Sequence, residues 1–177
     1  AARFVFLTRI VPKQSMAFRT LAGVIDAEIR GERVKIRTTK PHGLESHMVV
    51  RGEVRDFSLD FVNTGVPHAV HFLESGTALD QADVLNWGRT LRYHPQFQPA
   101  GTNVNFVHVH DLHHLAIRTY ERGVEGETLA CGTGSIASAL VAAARGWAES
   151  PVDVLTRSGE TLTIYFNQSR NKDEEPF

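Results

Sequence analysis

The feature that most constrains the fold is the segment from Gly134 to Arg145, which consists almost entirely of Ala, Leu, Val, Ile and Ser. A helix that is apolar on every side must be buried on every side, so other elements have to surround it. Gly146 follows at the position where glycine commonly ends a helix. We therefore expect a central helix enclosed by the rest of its domain.

Most of the remaining elements are predicted to be strands. Residues 56–63 alternate apolar and polar side chains with the period of two that is typical of a half-buried strand. Residues 80–93 have apolar positions at helical spacing before Pro95 and form the one amphipathic helix. The other predicted strands are 16–22, 24–29, 33–38, 69–73, 103–110, 115–121, 152–156 and 161–166. The sequence predicts an α+β fold, with a mixed β-sheet or barrel wrapped around the central apolar helix.

The segment 40–46, which contains Pro41 and Gly43, is the expected domain boundary. It separates a small β region, residues 1–42, from a larger domain, residues 43–177. Residues 1–10 are helix-like from the first position with no capping residue before them, and residues 167–177 are polar without a closing element. We expect both ends to be cut from a longer chain.

The charge and cysteine content exclude several classes of protein. A net charge of −1 gives no electrostatic footprint for nucleic acid, and no run of Lys or Arg forms a patch for a membrane surface. One cysteine cannot form an internal disulfide, and no segment has the length of a signal peptide or membrane span. The sequence predicts a cytoplasmic protein that binds neither nucleic acid nor membranes.

The single cysteine, Cys131, directly precedes Gly132, Thr133 and the start of the apolar helix. The helix dipole and the free amides of a first turn favour a thiolate, so we expect an unusually acidic thiol. The same amides, those of Gly132 and Thr133, can donate hydrogen bonds to a substrate carboxylate. A lone cysteine is more often a small core residue, and the position before the helix is the argument for catalysis.

Several sequence blocks, two of them at or just before this cysteine, resemble those of a known family. They are Tyr-Glu-Arg-Gly at 120–123, Glu-Thr-Leu-Ala-Cys-Gly-Thr-Gly at 127–134, Asn-Thr-Gly-Val-Pro-His at 63–68, Gly-Thr-Asn-Val-Asn-Phe at 101–106 and Ala-Arg-Phe at 2–4. Together they resemble diaminopimelate epimerase, which interconverts LL- and meso-diaminopimelate without a cofactor. The resemblance implies two similar α/β halves with the active site in the cleft between them. Residues 1–42 would be a remnant of the first half and residues 43–177 most of the second.

The resemblance also implies roles for individual residues. Cys131 corresponds to the second catalytic acid/base, and His68 and Glu121 to catalytic groups that adjust thiol protonation. Glu121 would also meet the substrate ammonium. Asn103 and Arg122 correspond to substrate-binding residues, and a guanidinium suits a bidentate grip on the distal carboxylate. The implied ligand is diaminopimelate, with no metal or cofactor, and the family implies a homodimer as one assembly.

Inverting a stereocentre by proton exchange needs one acid/base group on each face of the carbon. In the family the first is the leading cysteine of a Cys-Gly-Asn-Gly-x-Arg-Cys motif, which this sequence does not contain. The 177 residues alone are therefore expected not to epimerise. Val66 stands where the family usually has asparagine, so that side-chain contact to the substrate is not expected.

Three other functions stay open at this point. One is a thiol hydrolase that uses Cys131 with His68, another is a proline racemase or other amino-acid racemase of the same fold, and the third is a binding module without chemistry. No metal site is predicted, because the cluster His108, His110, His113 and His114 has no acidic or cysteine partner at ligand spacing. The Gly-Thr-Gly turn also lacks the lysine of a phosphate-binding loop.

Overall fold

The structure is a computed structural model that describes residues 1–20, 23–52, 55–73 and 79–167. The chain divides into two compact units, Ala1–Lys40 and Pro41–Phe177. This division lies close to the boundary expected after residue 42, while the assignment of the units to epimerase halves stays a prediction. Residues 21–22 of the first predicted strand and the predicted loop beyond residue 167 lie outside the described part.

The first unit is a short helix with a three-stranded antiparallel sheet. Helix α1 is Ala2–Leu7, and the strands are β1 (Ser15–Thr20), β2 (Gly23–Arg30) and β3 (Arg33–Arg37), in the order β1-β2-β3. Gly31, in the β2–β3 turn, has φ +62°, a conformation that glycine adopts without a steric cost. Ala2, Ala27 and Ile29 form its small core. The predicted strands at 24–29 and 33–38 are confirmed with slightly different ends.

The second unit is built on a mixed sheet. Its strands are β4 (His42–Arg51), β5 (Asp56–Asn63), β6 (Pro67–Phe72), β7 (Asn103–Asp111), β8 (His114–Glu121), β9 (Gly126–Thr128), β10 (Val152–Leu155) and β11 (Thr161–Ile164). The order is β11-β10-β8-β7-β6-β5-β4, and β9 pairs with the C-terminal end of β8. The β6–β7 and β8–β10 pairs are parallel, and the other pairs are antiparallel.

Two of these strands were not predicted. Strand β4 occupies part of the segment expected to be a boundary, and it is a largely exposed edge strand. Gly43 and His47 in β4 have φ near +60°, and its register against β5 shifts twice. Such irregularities remove the clean alternation by which a strand is recognised in sequence. Strand β9 is too short to show a period at all.

Helix α3, Gly132–Ala144, is the predicted central helix. It contacts β5, β6, β7, β8, β10 and β11. Neighbouring strands lie about 4.8 Å apart and a helix is about 10 Å wide, so one helix meets this many strands only where the sheet curves around it. This arrangement confirms the predicted α+β fold, with the sheet wrapped around an apolar helix.

A buried ion pair fixes the end of α3 to the sheet. Arg145, the residue after α3, donates from Nε and Nη2 to the two carboxylate oxygens of Asp60 on β5, at 2.8 and 2.9 Å. The carboxylate also accepts a bond from the backbone N–H of His47, at 3.0 Å. Because Asp60 is fully buried, this geometry compensates the loss of its hydration.

Helix α2, Val84–Arg92, packs on β7, β8 and β9 and is preceded and followed by short 3-10 turns, Leu79–Gln81 and Pro95–Phe97. Asp83 caps α2, since its carboxylate accepts the N–H of Asn86 at 3.2 Å. Val104 and Phe106 of β7 pack in the same core cluster as Val84 and Leu91 of α2. The intervening positions of β7 face α3, and this alternation places Asn105 beneath the first turn of that helix.

Candidate active site

Cys131 caps the N-terminus of α3. Its sulfur accepts the backbone N–H of Gly134 at 3.4 Å and lies 3.6 Å from the Thr133 hydroxyl oxygen. Its carbonyl accepts both the N–H and the hydroxyl of Ser135, each at 2.9 Å. The cysteine is only 6% exposed, so the sulfur sits at the helix terminus in a largely water-excluded position.

The expectation of an acidic thiol is wrong for this structure. Burial raises the pKa of the Cys131 thiol, and this effect outweighs the hydrogen bonds from Thr133 and Gly134, which lower it. The negative charge of Glu121 adds to the rise in pKa. The helix terminus does stabilise a thiolate, but the loss of hydration is the larger effect. Cys131 is therefore a protonated thiol at neutral pH.

His68 lies in β6 and is completely buried. Burial and, as the smaller effect, the positive charge of Arg122 together lower the pKa of its imidazole to about 3. Its Nδ1 is 3.1 Å from the amide nitrogen of Asn105. Among the described residues its Nε2 has no hydrogen-bond partner. The ring is therefore neutral at physiological pH and carries one buried polar atom that no group in the described part of the chain satisfies.

Asn103, at the start of β7, connects the ends of β6 and β8, the strands on either side of β7. Its amide nitrogen donates to the carbonyl of Pro67 at 3.0 Å, and its amide oxygen accepts the backbone N–H of Arg122 at 2.8 Å. Arg122 in turn donates from Nη1 to the carbonyl of Ala100 at 2.8 Å. These bonds anchor the side chains of Asn103 and Arg122, two of the predicted substrate-binding residues, to the backbone around the site.

The structure brings the predicted residues together to different degrees. Cys131 and Thr133 are in contact, and Glu121 is close enough to influence the cysteine electrostatically. Gly132 is exposed with open space around it. The positive charge of Arg122 lowers the pKa of His68. No hydrogen bond within the described part of the chain joins His68 to Cys131. The structure therefore supports an electrostatic interaction of the Cys131 thiol with Glu121 more directly than any interaction of this thiol with His68.

The turn before β6 carries Val66 in place of the usual asparagine. The Val66 carbonyl accepts the N–H of Thr64 at 3.1 Å, and the Thr64 hydroxyl donates to the carbonyl of Thr133 at 3.3 Å. Asn63 closes the same turn by accepting the N–H of Gly65 at 2.9 Å. This turn thus holds Thr64, whose side-chain hydroxyl supports the first turn of α3.

Sequence reasoning missed two buried polar residues, Asn105 and Thr119. The Thr119 hydroxyl donates to the amide oxygen of Asn105 at 3.0 Å, and the amide nitrogen donates to the carbonyl of Ala69 at 3.1 Å. A Cβ at Gly134 would press against this amide oxygen and lie 3.2 Å from the sulfur of Cys131. The available signal was an asparagine at an inward position of a buried strand, where a polar side chain needs partners.

Two histidines of the cluster at 108–114 are engaged away from the site. His113 Nδ1 lies 2.9 Å from the carbonyl of Glu149, and His114 Nδ1 lies 2.8 Å from the carboxylate of Asp111. In the described ranges no three His, Cys, Asp or Glu residues are grouped so that they could hold a metal ion. The helices in those ranges are also too short or too polar to cross a membrane.

Comparison with known proteins bears directly on this site. The family model described as diaminopimelate epimerase matches residues 61–174, a range that contains every candidate site residue. The chain belongs to the diaminopimelate epimerase family. The diaminopimelate epimerase of Hydrogenobaculum sp. (strain Y04AAS1) is 48% identical over 93% of this chain and 59% of its own length, and that of Aquifex aeolicus (strain VF5) is 46% identical over 95% and 60%.

The chain therefore spans about three fifths of the length of these curated relatives. Solved structures agree on the fold. A probable proline racemase from Agrobacterium radiobacter K84 has a TM-score of 0.72 at 19% identity, covering 97% of this chain and 58% of its own. A hydroxyproline epimerase from Agrobacterium vitis has a TM-score of 0.68 at 19% identity, covering 90% and 54%. The family resemblance and the epimerase-like α+β fold predicted from the sequence are confirmed.

Proposed function

We propose that this chain supplies one of the two acid/base groups of a cofactor-independent diaminopimelate epimerase, and that this group is Cys131. The observation that carries the proposal is the position of the sulfur, which accepts an N–H of the first turn of α3 in a largely water-excluded site beside Glu121. Membership in the family supplies the substrate class. The reaction would serve lysine and peptidoglycan precursor synthesis.

The raised pKa of Cys131 suits the delivering half of the reaction. In the forward direction a base on the far face removes the α-proton, and the Cys131 thiol gives its own proton to the near face. The Cys131 thiolate left behind is stabilised by the N–H of Gly134 and the Thr133 hydroxyl. In the reverse direction the thiolate removes the α-proton. The sequence has one cysteine, so the opposing group is not a second thiol of these residues.

The remaining site residues would hold the substrate. The Glu121 carboxylate would meet the ammonium, and the amides of Gly132 and Thr133 would meet the α-carboxylate. Arg122 has five N–H donors, so its bond to Ala100 leaves others for a distal carboxylate. In this role Asn103 positions Arg122 through its backbone N–H.

The hydrolase alternative is disfavoured by His68. A cysteine hydrolase needs a histidine that accepts the thiol proton. Burial lowers the pKa of His68 to about 3, which makes it a very weak base, and Cys131 is not among its hydrogen-bond partners in the described chain. A binding module without chemistry would give no reason for a capping thiol beside a carboxylate.

The proposal extends to the surroundings of the enzyme. A single cysteine suits a reducing compartment, which supports a cytoplasmic location. The units Ala1–Lys40 and Pro41–Phe177 would be parts of the first and second epimerase halves. A homodimer, the absence of a cofactor and the absence of nucleic-acid or membrane partners stay predictions.

The test uses the purified chain and a chimera that joins it to the part of the Hydrogenobaculum relative it does not span. We expect the chimera to interconvert LL- and meso-diaminopimelate but not the enantiomers of proline, and the 177-residue chain alone to do neither. Epimerisation by the chain alone would contradict the two-base assignment. Turnover of proline in place of diaminopimelate would support the racemase alternative.

A further inference from the structure

A row of polar side chains, most of them buried, crosses the sheet beneath the first turn of α3. In the strand register Thr128 of β9 stands opposite Thr119 of β8, and Thr119 stands opposite Asn105 of β7. The row continues to His68 of β6 through the bond from Asn105. Asn105 and His68 are fully buried and Thr119 is almost so. Burying polar groups costs free energy unless they are hydrogen-bonded, so the bonds among Asn105, Thr119 and His68 constrain the orientation of these three groups.

The bonds of Asn105 determine which way its amide points. A backbone carbonyl can only accept, so the atom that lies 3.1 Å from the Ala69 oxygen must be the amide nitrogen. The amide oxygen then faces the hydroxyl of Thr119, which donates to it at 3.0 Å. The second N–H of the amide points at His68 Nδ1, at 3.1 Å.

This amide leaves one arrangement for the imidazole. An N–H donor at Nδ1 requires that Nδ1 accept, so in the neutral ring the proton is on Nε2. Among the described residues Nε2 has no partner, and it is buried. A buried N–H without a protein acceptor is a donor that an anionic ligand group can satisfy.

We propose that Asn105 is a positioning residue of this site, which holds His68 in the tautomer that accepts at Nδ1 and donates from Nε2. His68 then serves the site as a hydrogen-bond donor to an anionic group, such as a substrate carboxylate, and not as a base. This inference rests on the proposed function only for the identity of that anion. The assignment of the tautomer stands on the hydrogen bonds alone.

The same amide also supports the turn that carries the thiol. Its oxygen lies against the backbone of Gly134, at a place that no larger residue could occupy without displacing it. Gly134 in turn donates its N–H to the Cys131 sulfur. Asn105 therefore connects the position of the imidazole with the position of the thiol, although these two groups share no direct hydrogen bond in the described part.

The test is a long-range ¹H–¹⁵N correlation spectrum of the imidazoles in the uniformly labelled 177-residue chain at neutral pH. His68 is assigned by the signal that disappears in His68→Gln. We expect wild-type His68 to be neutral with the proton on Nε2. In Asn105→Asp the carboxylate can only accept, so we expect the proton to move to Nδ1 and the proton affinity of His68 to rise at least about tenfold, which is one pKa unit.

Two further variants keep the result decisive. Asn167→Asp adds the same charge at an exposed position of the same unit, and it should leave the His68 tautomer and pKa unchanged. Thr119→Val removes the hydroxyl but not the amide N–H, so the Nε2–H tautomer should persist. If Asn105→Asp does not fold, the wild-type and Thr119→Val spectra still decide. A wild-type ring with its proton on Nδ1, or a folded Asn105→Asp with an unchanged tautomer, would overturn the proposal whether or not the protein is an epimerase.

Discussion

The neutral, buried imidazole of His68 should make the second unit lose stability in mild acid. The ordinary pKa of histidine is 6.5, and burial lowers that of His68 to about 3 in the folded protein. Below the ordinary value the unfolded chain takes up a proton that the folded chain cannot bind. The stability is therefore fully present above pH 6.5 and is lost as the pH falls towards the folded value.

The size of the loss follows from proton linkage. Each pH unit inside this window costs at most about 1.4 kcal/mol, so lowering the pH from about 7.5 to about 5 should remove roughly 2 kcal/mol of unfolding free energy through His68 alone. Other histidines and carboxylates titrate in the same range. His68→Gln provides the comparison, because it removes this titration and leaves theirs in place.

The assay is urea unfolding followed by tryptophan fluorescence at the two pH values. Trp87 packs on Phe57 and Phe106 in the core of the second unit, so its emission reports on that unit. We expect the pH-dependent drop in stability to be about 2 kcal/mol smaller in His68→Gln than in the wild type. Equal pH dependence in the two proteins would refute a buried neutral His68. A larger drop in the variant would refute the sign of the pKa shift.

Three further outcomes are expected. Gly134→Ala should destabilise the protein by about 1–3 kcal/mol in thermal or urea unfolding, because the added methyl group meets the side-chain amide of Asn105 under α3. Gly132→Ala is the control and should cost far less, because its methyl group meets no neighbouring atom. Asp60→Asn should cost about 3–5 kcal/mol of unfolding free energy, because it leaves the arginine at the end of α3 without its buried partner. The alkylation rate of Cys131 by iodoacetamide should rise with pH into the alkaline range, and Glu121→Gln, which removes a nearby negative charge, should increase that rate at neutral pH.

Each of these predictions has a result that would contradict it. Equal losses in the two glycine variants would show that the amide does not limit the approach of α3. A small loss in Asp60→Asn would mean that water reaches the ion pair. For the thiol, Glu160→Gln is the matched control at an exposed carboxylate, and an alkylation rate that is already maximal at neutral pH would restore the expectation of an acidic cysteine.

The sequence was sufficient where one element determines its own environment. The apolar segment that becomes α3 could only be a buried helix, and a buried helix in a chain rich in strands predicts the curved sheet around it. The family blocks were equally informative, because they placed Cys131, Glu121 and Arg122 in one part of one domain. Strand β4 was not predicted, because its irregular pairing and its exposure remove the alternation of apolar and polar residues with a period of two.

The acidity of the thiol and the role of Asn105 depend on distances that no local pattern contains. The helix N-terminus is visible in the sequence, but the burial that opposes it at Cys131 comes from the packing of α3 against the sheet. Asn105 becomes informative only when Ala69, Thr119 and His68 are brought around it by three neighbouring strands. In both cases the deciding contacts come from residues that only the tertiary structure brings together.

The most direct test of the central claim is α-proton exchange in D₂O, followed by ¹H NMR, with LL-diaminopimelate and the chimera that completes this chain with the Hydrogenobaculum segment. If Cys131 exchanges protons with one face of the α-carbon, the chimera will form meso-diaminopimelate with solvent deuterium at the inverted carbon. The Cys131→Ala chimera, folded as judged by circular dichroism, will then form none. Inversion at an undiminished rate in the Cys131→Ala chimera would contradict the account.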